Sequence, residues 1–320
     1  MSRRLLEILR ARRAAGGGPP FDDPHLVALV AEGGAMRGVI AGGMVTALEE
    51  AGFADCFDLM VGTSAGACAL AYLRAGQARL GTSIYFEDIN NRSFIDTRRP
   101  LRGRAIVDID FLVDRVFREV KPLDHRRLAS PGPRLLAVAT DVDRGEGVAL
   151  EGFENRERAY EVLRATTRMP LLAAGPVEID GRRYIDGSAA DRIPIAYAQR
   201  LGATHVLVIL TRSPNSRSVT QPSAIRNYLK SNLFAALYHR NLRTLTRHEA
   251  NNYSRIYQIL TDYDGYEIGG VRCRAVSPAG NFREISRIET NEEVLRGAAQ
   301  HGQDRMNDFL MGTNEGSQDV

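Results

Sequence analysis

A serine between glycines stands at the end of the second strand-like run of the chain. The pentapeptide Gly-Thr-Ser-Ala-Gly, residues 62–66, follows the strand-like residues 57–61 and opens a helix-prone stretch over 65–75. Such a turn projects the Ser64 hydroxyl beyond the strand end, while Gly62 and Gly66 tolerate the strained backbone and leave room for a substrate. The pattern indicates a nucleophilic serine, and its alternative is a glycine-rich connection that carries a serine by chance.

A glycine-rich loop follows an earlier predicted strand. Residues 27–31 read as a buried strand, and the loop EGGAMRG comes next, before a helix-like segment over 39–51. Backbone N–H groups of such a loop can converge on an oxyanion. A dinucleotide-binding loop is the competing interpretation, but it requires G-x-G-x-x-G and an alanine occupies its central glycine position. Gly33, Gly34, Ala35, Arg37 and Gly38 are therefore candidates for an oxyanion hole, and a nucleotide site stays the alternative at this point.

The third motif is an Asp-Gly pair far downstream. Asp186-Gly187-Ser188 follows the strand-like residues 176–179 and 183–185. An aspartate before a glycine is a turn by default. The alternative is a carboxylate at a strand end that accepts the proton of Ser64.

Taken together and in this order, the three motifs resemble the patatin-like phospholipase family over residues 27–210. The resemblance implies a three-layer α/β/α fold with a mainly parallel central sheet. It also implies phospholipase A or lysophospholipase chemistry by a Ser64–Asp186 dyad, with no metal and no cofactor. Two residues depart from the family pattern: Ala35 replaces a glycine, and Ser188 replaces a glycine or alanine. An alanine still supplies an N–H, but a positive φ at Ala35 would put the hole in doubt.

Two other functions remain open. A Ser–His–Asp esterase of the α/β-hydrolase type would use Ser64, Asp186 and a later histidine, for which His239, His248 and His301 are the candidates. A chain with a disabled site could instead bind lipid or a protein partner without catalysis. The helix-like context of the three histidines favours the dyad.

Composition excludes several classes of protein. The chain has 320 residues, 44% hydrophobic content and a net charge of +3, so no nucleic-acid partner is expected. Three cysteines at no metal-like spacing suit a reducing compartment, and no apolar run is long enough to span a bilayer. The basic start over 1–13 is not a secretory signal. We expect a cytoplasmic enzyme of lipid degradation, with a peripheral membrane contact left open and the oligomeric state unknown.

The predicted organisation is one catalytic domain with short flanking segments. Residues 1–24 form an extension and linker, 25–311 the catalytic domain, and 312–320 a disordered tail. Within the domain, 27–210 carry the motifs and alternate between strands and helices, which predicts a mainly parallel sheet. The part from 211 to 311 is predicted to be largely helical, with a long helix over 223–252, a strand over 254–260 and a last helix over 291–310.

Two amphipathic segments could cover the site. In the insertion over 80–129, residues 108–117 pattern as a short helix whose apolar face we expect in the core. In the later helix, apolar residues at 225, 228, 229, 233 and 236 share one face. A continuous helix would carry Arg240, Arg243 and Arg247 over that face, so only a lid or a contact of about three turns is expected.

Arginine dominates the basic residues: all but Lys121 and Lys230 of the 42 are arginine. Compositional bias is the simple explanation. Phosphate recognition is the functional one, because a guanidinium binds phosphate through two parallel hydrogen bonds. Arg37, inside the glycine loop, is the best single candidate for such a contact.

Overall fold

The computed structural model describes residues 2–216, Val219, 223–262 and 266–312. Its strands are β1 Val27–Ala31, β2 Leu59–Thr63, β3 Arg134–Asp141, β4 Glu146–Leu150, β5 Val177–Ile179, β6 Arg182–Asp186, β7 His205–Ile209, β8 Tyr266–Ile268 and β9 Val271–Val276. Its α-helices are α1 Ser2–Ala14, α2 Gly38–Glu50, α3 Ala65–Arg74, α4 Ala78–Glu87, α5 His125–Ala129, α6 Arg156–Thr167, α7 Ile195–Arg200, α8 Ala224–Leu237, α9 Leu242–Asp262 and α10 Glu292–Met311. Of the predicted tail over 312–320, all but Gly312 lies outside the described residues.

A single mixed sheet organises the part of the chain that the structure describes. Its strands run in the order β5-β6-β3-β2-β1-β7-β9-β8, and β4 pairs with β3 away from this path. Strands β3, β2, β1, β7 and β9 are parallel to one another. The edges are antiparallel, since β6 pairs with β3 and with β5, and β8 pairs with β9. The carboxyl ends of β1 and β2, which carry the glycine loop and Ser64, are therefore neighbours.

Helices cover both faces of the sheet. Along β1 the side chains alternate, so that Val27 and Leu29 pack into one buried cluster while Ala28 and Val30 pack into another. The first cluster also contains apolar residues of α1, α2, α3, α4, α6 and α10, and the second contains those of α7 and α9. Because each cluster fills the space between the sheet and a helical layer, the predicted three-layer α/β/α fold is confirmed.

The insertion between β2 and β3 packs as expected. It contains α4, a π-helix over Phe111–Val120 and α5. Leu112, Val113, Val116 and Phe117 of the π-helix are buried in the first cluster. The apolar face of residues 108–117 therefore belongs to the core, as predicted.

Two predictions for the C-terminal part are wrong, and two strands were missed. The strand predicted over 254–260 is part of α9, because Tyr253, Tyr257 and Leu260 lie at helical spacing and are all buried against the sheet. The single helix predicted over 223–252 is two helices, α8 and α9, which break after Leu237. Two strands in this part, β8 and β9, were not predicted, and they extend the sheet beyond β7.

The N-terminal residues also form regular structure. Helix α1 buries Leu5, Leu6 and Leu9 in the first cluster. Arg12, 3% exposed, binds the carboxylates of Asp23 and Asp58 at 2.8 Å. The division of the chain into an extension, a catalytic domain and a tail stays a prediction.

Candidate active site

Ser64 lies on a sharp turn between β2 and α3. Its backbone has φ +54° and ψ −126°, a combination that is strained for a residue with a side chain. The turn brings the backbone close to its neighbours: a Cβ on Gly66 would lie 2.5 Å from the carbonyl oxygen of Ala31, and one on Gly62 would lie 2.5 Å from Ala67. Both glycines are therefore required by close approach, and the strain is concentrated on Ser64 itself.

A carboxylate contacts the Ser64 hydroxyl directly. Ser64 Oγ donates a hydrogen bond of 2.6 Å to Asp186 Oδ2, and the backbone N–H of Ser188 donates to the other carboxylate oxygen at 2.8 Å. Asp186 ends β6, opposite Ala139 of β3, and is 1% exposed. Burial raises the pKa of Asp186, and the hydrogen bond from Ser64 partly opposes that rise. The result is a desolvated carboxylate that is a stronger base than a solvated one.

Thr166 supports the turn, and no sequence motif indicated it. The backbone N–H of Ser64 donates to Thr166 Oγ1 at 2.8 Å, and the Thr166 hydroxyl donates to the carbonyl of Val138 at 2.5 Å. Thr166 lies near the end of α6 and is fully buried. A threonine near a helix end carries no signal of its own, since its partners are more than twenty residues away.

The glycine loop places two backbone N–H groups beside Ser64. Within the described residues, the N–H groups of Gly34 and Ala35 have no recorded acceptor, although both residues line the same cavity as Ser64. Gly33 donates weakly to Arg192 O at 3.4 Å. Arg37 and Gly38 donate back into the loop, to Gly34 O and to Ala35 O, so their N–H groups are already used.

Ala35 has a positive φ of +52°, the conformation that would put the oxyanion hole in doubt. An alanine in this region costs about 1 kcal/mol relative to a glycine. Rotation about N–Cα, however, moves the Cβ and the chain that follows, not the N–H that precedes it. The strain therefore affects stability at Ala35 more than the direction of its N–H group.

The three candidate histidines lie away from Ser64 and Asp186. His301 accepts a hydrogen bond from the N–H of Ala279 and stacks on Phe282 at 4.1 Å between ring centres. His239 accepts from the N–H of Asn241. No histidine of the described chain lines either cavity that Ser64 borders.

Ser64 stands where two cavities meet. One is an apolar slot with about 50 Å³ of free volume between α2, α3 and the insertion that contains α4. The second is an open polar cavity of about 730 Å³. The residues that both share are Ala35, Ser64, Met169 and Arg287. The slot is lined by apolar side chains that include Met36, Val45, Ala69, Tyr85, Phe94, Ile109 and Phe117.

The polar cavity carries the Asp-Gly motif and a group of cations. Asp186 and Ser188 line it on one side. The inner face of α8 lines another side through Asn227, Lys230 and Phe234, which are three or four residues apart. Four arginines complete the wall: Arg37, Arg192, Arg212 and Arg287.

Metal binding and membrane spanning find no support in the described ranges. No group of three or more His, Cys, Asp or Glu side chains there could hold a metal ion. No helix in those ranges combines the length and the apolar character that crossing a bilayer demands.

Comparisons with known proteins identify the family. The sequence profile of the patatin-like phospholipases matches residues 29–198, which is more than half of the chain. A curated relative, the uncharacterized protein YjjU of Escherichia coli (strain K12), is 32% identical over 196 residues. The match covers 60% of this chain and 53% of YjjU, so the chain spans about half the length of that relative.

Two solved structures are similar in backbone. VipD from Legionella pneumophila has a TM-score of 0.49 and 14% identity, with 92% of this chain and 70% of VipD covered. The type III effector protein ExoU has a TM-score of 0.38 and 13% identity, with 93% and 54% covered. The profile match, which spans the glycine loop, the Ser64 turn and Asp186, shows that the chain belongs to the patatin-like phospholipase family.

Proposed function

We propose that this protein hydrolyses carboxylic esters of phospholipids or lysophospholipids through a Ser64–Asp186 dyad. Membership of the family implies hydrolysis of lipid esters. The observation that carries the dyad is the 2.6 Å hydrogen bond from Ser64 Oγ to a buried carboxylate, with no histidine among the residues that line the two cavities. No observation favours the Ser–His–Asp alternative.

In the first step, Ser64 Oγ attacks the ester carbonyl while its proton passes to Asp186 Oδ2. The oxyanion that forms would accept hydrogen bonds from the N–H groups of Gly34 and Ala35. Their lack of an acceptor supports this role. Asp186 then returns the proton to the departing alcohol, and a water activated by the same carboxylate releases the fatty acid.

The two cavities that meet at Ser64 are suited to different parts of a lipid substrate. The apolar slot is suited to an acyl chain because its lining is aliphatic and aromatic. Its small free volume means that a long chain enters only if the lining side chains shift. The polar cavity is open and takes the remainder of the lipid, near Arg37.

Labelling with an activated phosphonate tests the nucleophile. We expect the probe to modify Ser64 alone, because this hydroxyl combines strained presentation with a hydrogen-bonded base. Mass spectrometry of the labelled peptide identifies the site. Labelling that persists in folded Ser64→Ala protein would refute the assignment, and an absence of labelling in the wild type would favour a non-catalytic binding module. The lipid products of the wild type, with Ser64→Ala as the control, define the substrate.

A peripheral membrane contact through α8 is also part of the proposal. Five of the twelve large apolar side chains that are exposed in the described chain lie on this helix: Ile225, Tyr228, Leu229, Leu233 and Leu237. The break after Leu237 places Arg240 in the connecting turn and Arg243 on α9, so they do not interrupt the apolar face as they would in a continuous helix. From Arg192 to His248 the sequence contains no Asp or Glu, which suits an anionic membrane surface reached from the cytoplasm.

Binding to phosphatidylglycerol-containing vesicles tests this contact. The double variant Ile225→Ser/Leu229→Ser should bind at least about tenfold more weakly, since two apolar side chains lose their burial in lipid. Met311→Ser, at an exposed residue of α10, is the control and should bind as the wild type does. Equal binding by all three proteins would contradict the contact.

A further inference from the structure

The polar cavity beside Ser64 is lined by several positively charged side chains. The proposed hydrolysis of the ester uses none of them. Five positively charged side chains line the cavity, and they come from five separate parts of the chain: Arg37, Arg192, Arg212, Lys230 and Arg287. Lys230 and Arg287 lie outside the segment that matches the family profile. Family membership therefore provides no expectation for these two residues.

Two of the five cations are neutralised by carboxylates. Arg192 forms an ion pair of 2.9 Å with Glu249, and its guanidinium also covers the Tyr253 ring. Arg212 forms an ion pair of 2.8 Å with Glu284. These pairs build the wall of the cavity without leaving their charge free for a ligand.

The other three cations form no ion pair with any described residue. Arg37 is 4% exposed, and its Nε has no hydrogen-bond partner there. Lys230 Nζ lies over the Phe234 ring, 5.1 Å from the ring centre. Arg287 borders both cavities and is exposed to solvent.

The pKa values of Arg37, Lys230 and Arg287 are all lowered, as expected for cations that lie close to one another. Burial, and then the charges of Arg212 and Arg287, lower the pKa of Arg37 to about 9. Burial and the charge of Arg192 lower that of Lys230 to about 8, and burial lowers that of Arg287 to about 10. By solvent accessibility Arg37 is buried, Lys230 is half-buried and Arg287 is exposed. The cost of an unpartnered cation therefore falls mainly on Arg37, and a bound anion would remove it.

The nearby carboxylates are engaged elsewhere. Glu32 accepts hydrogen bonds from the Thr211 N–H, the Thr211 hydroxyl and the Tyr253 hydroxyl. Asp186 accepts from Ser64. Three unpaired cations thus face two carboxylates whose oxygens already have donors, and the cavity keeps an excess of positive charge and of free N–H donors.

We propose that Arg37, Lys230 and Arg287 form a binding site for a phosphomonoester headgroup, so that the preferred substrate is an acylated glycerol phosphate rather than a zwitterionic phospholipid. The inference rests on the proposed function for the ester bond that is cleaved. The position of Arg287, on the border of both cavities beside Ser64, places the phosphate close to the scissile ester. A dianion matches several fixed cations, whereas a quaternary ammonium group would be repelled by them.

Calorimetric titration tests the site without turnover. Ser64→Ala protein would be titrated with sn-glycerol 3-phosphate and, separately, with inorganic phosphate. Adding Arg287→Gln should weaken binding of glycerol phosphate about tenfold to a hundredfold, as expected for a lost charge-assisted contact. Adding Arg283→Gln instead is the matched control, because Arg283 is an exposed arginine of the same loop that does not line the cavity. We expect no change with it.

A thermal melt accompanies the titration. Arg287 has no ion pair to lose, so Arg287→Gln should unfold at the same temperature as the parent protein or higher. A large decrease would show that the side chain supports the fold instead of a ligand, and would overturn the proposal. No binding of either phosphate compound to the Ser64→Ala protein would overturn it as well.

Kinetics distinguish a lipid headgroup from free phosphate as the ligand. The enzyme with Ser64 intact should prefer 1-acyl-glycerol 3-phosphate over 1-acyl-glycerophosphocholine, and Arg287→Gln should reduce this preference at least about tenfold. Binding of inorganic phosphate without any such preference would overturn the headgroup assignment. If Ser64→Ala kept full hydrolysis, the proposed nucleophile would fail while the titration would still report on the anion site.

Discussion

Asp186→Asn will lower ester hydrolysis to the level of Ser64→Ala, at least about a thousandfold below the wild type. The amide has nearly the same shape as the carboxylate but cannot accept the proton of Ser64. Because Asp186 is the only carboxylate in hydrogen-bond contact with Ser64 within the described chain, no neighbour there can replace it. The measurement is turnover of a soluble p-nitrophenyl ester by folded variants, compared with the reaction without enzyme.

Histidine variants supply the control for the dyad. His239→Ala, His248→Ala and His301→Ala should each keep most of the activity, since none of these residues lines the cavities beside Ser64. If the activity of one histidine variant fell to that of Ser64→Ala while its melting temperature stayed normal, the dyad would be wrong and a Ser–His–Asp triad would be indicated.

The pH profile provides a second signature of Asp186. Its pKa is raised by burial, and the base must be ionised to act, so kcat/KM should fall on acidification at a higher pH than an ordinary aspartate would give. A raised pKa in the folded state also means that folding favours the protonated form. The stability from this group is present at low pH and is lost as the pH rises through the raised pKa. At neutral pH, Asp186→Asn should therefore melt no lower than the wild type.

Gly43→Ala will lower the free energy of unfolding by about 3 kcal/mol, the upper end for an overpacked core. Gly43 lies in α2, where a Cβ would come within 1.9 Å of the carbonyl oxygen of Ala299 in α10. The obstacle is backbone, which cannot rotate away as a side chain would, so the two helices must separate. We expect the melting temperature to fall by about 5–10 °C, with activity on soluble esters retained below the transition.

Gly297→Ala on α10 is the matched control. A Cβ there meets nothing within 4 Å, and alanine favours a helix interior by about 1 kcal/mol over glycine. This variant should be slightly more stable than the wild type. Equal losses from both substitutions would contradict the contact between α2 and α10 as the cause, since helix propensity alone would stabilise both variants.

The part of the fold that carries the motifs was predictable from sequence. There the hydrophobic runs and glycines that indicate strands and turns also mark the residues that are buried or lie at the site. β1 occupies residues 27–31 as predicted, and the turn at Ser64 joins β2 to α3 as its glycines indicate. The roles of Ser64, Asp186 and the loop residues in catalysis stay predictions. Of the five predicted loop residues, only Gly34 and Ala35 have N–H groups without an acceptor in the described chain, and this difference depends on the conformation of the loop.

The C-terminal part was harder to predict, for reasons that differ from element to element. Several residues in 254–260 favour strands. The segment is nevertheless helical, because Tyr253, Tyr257 and Leu260 lie at helical spacing and are buried together against the sheet. The hairpin of β8 and β9 had a readable signal, a Gly-Gly pair before the alternating Val271 and Cys273. Arg287 had none, since it lies in a loop far from the motifs and only the folded chain brings it to Ser64.

The contacts of α1 and α10 bear on how this protein can be cut or fused. The family profile ends at residue 198 and begins at 29, yet α2 packs on α10 and the core beneath it includes Leu5 and Leu9 of α1. Expressing the matched segment alone would expose that apolar surface and would remove Arg12 from two carboxylates. We therefore expect the folding unit to include α1 and α10, which lie outside the matched segment. A fragment cut to the matched residues should aggregate instead of forming a smaller enzyme.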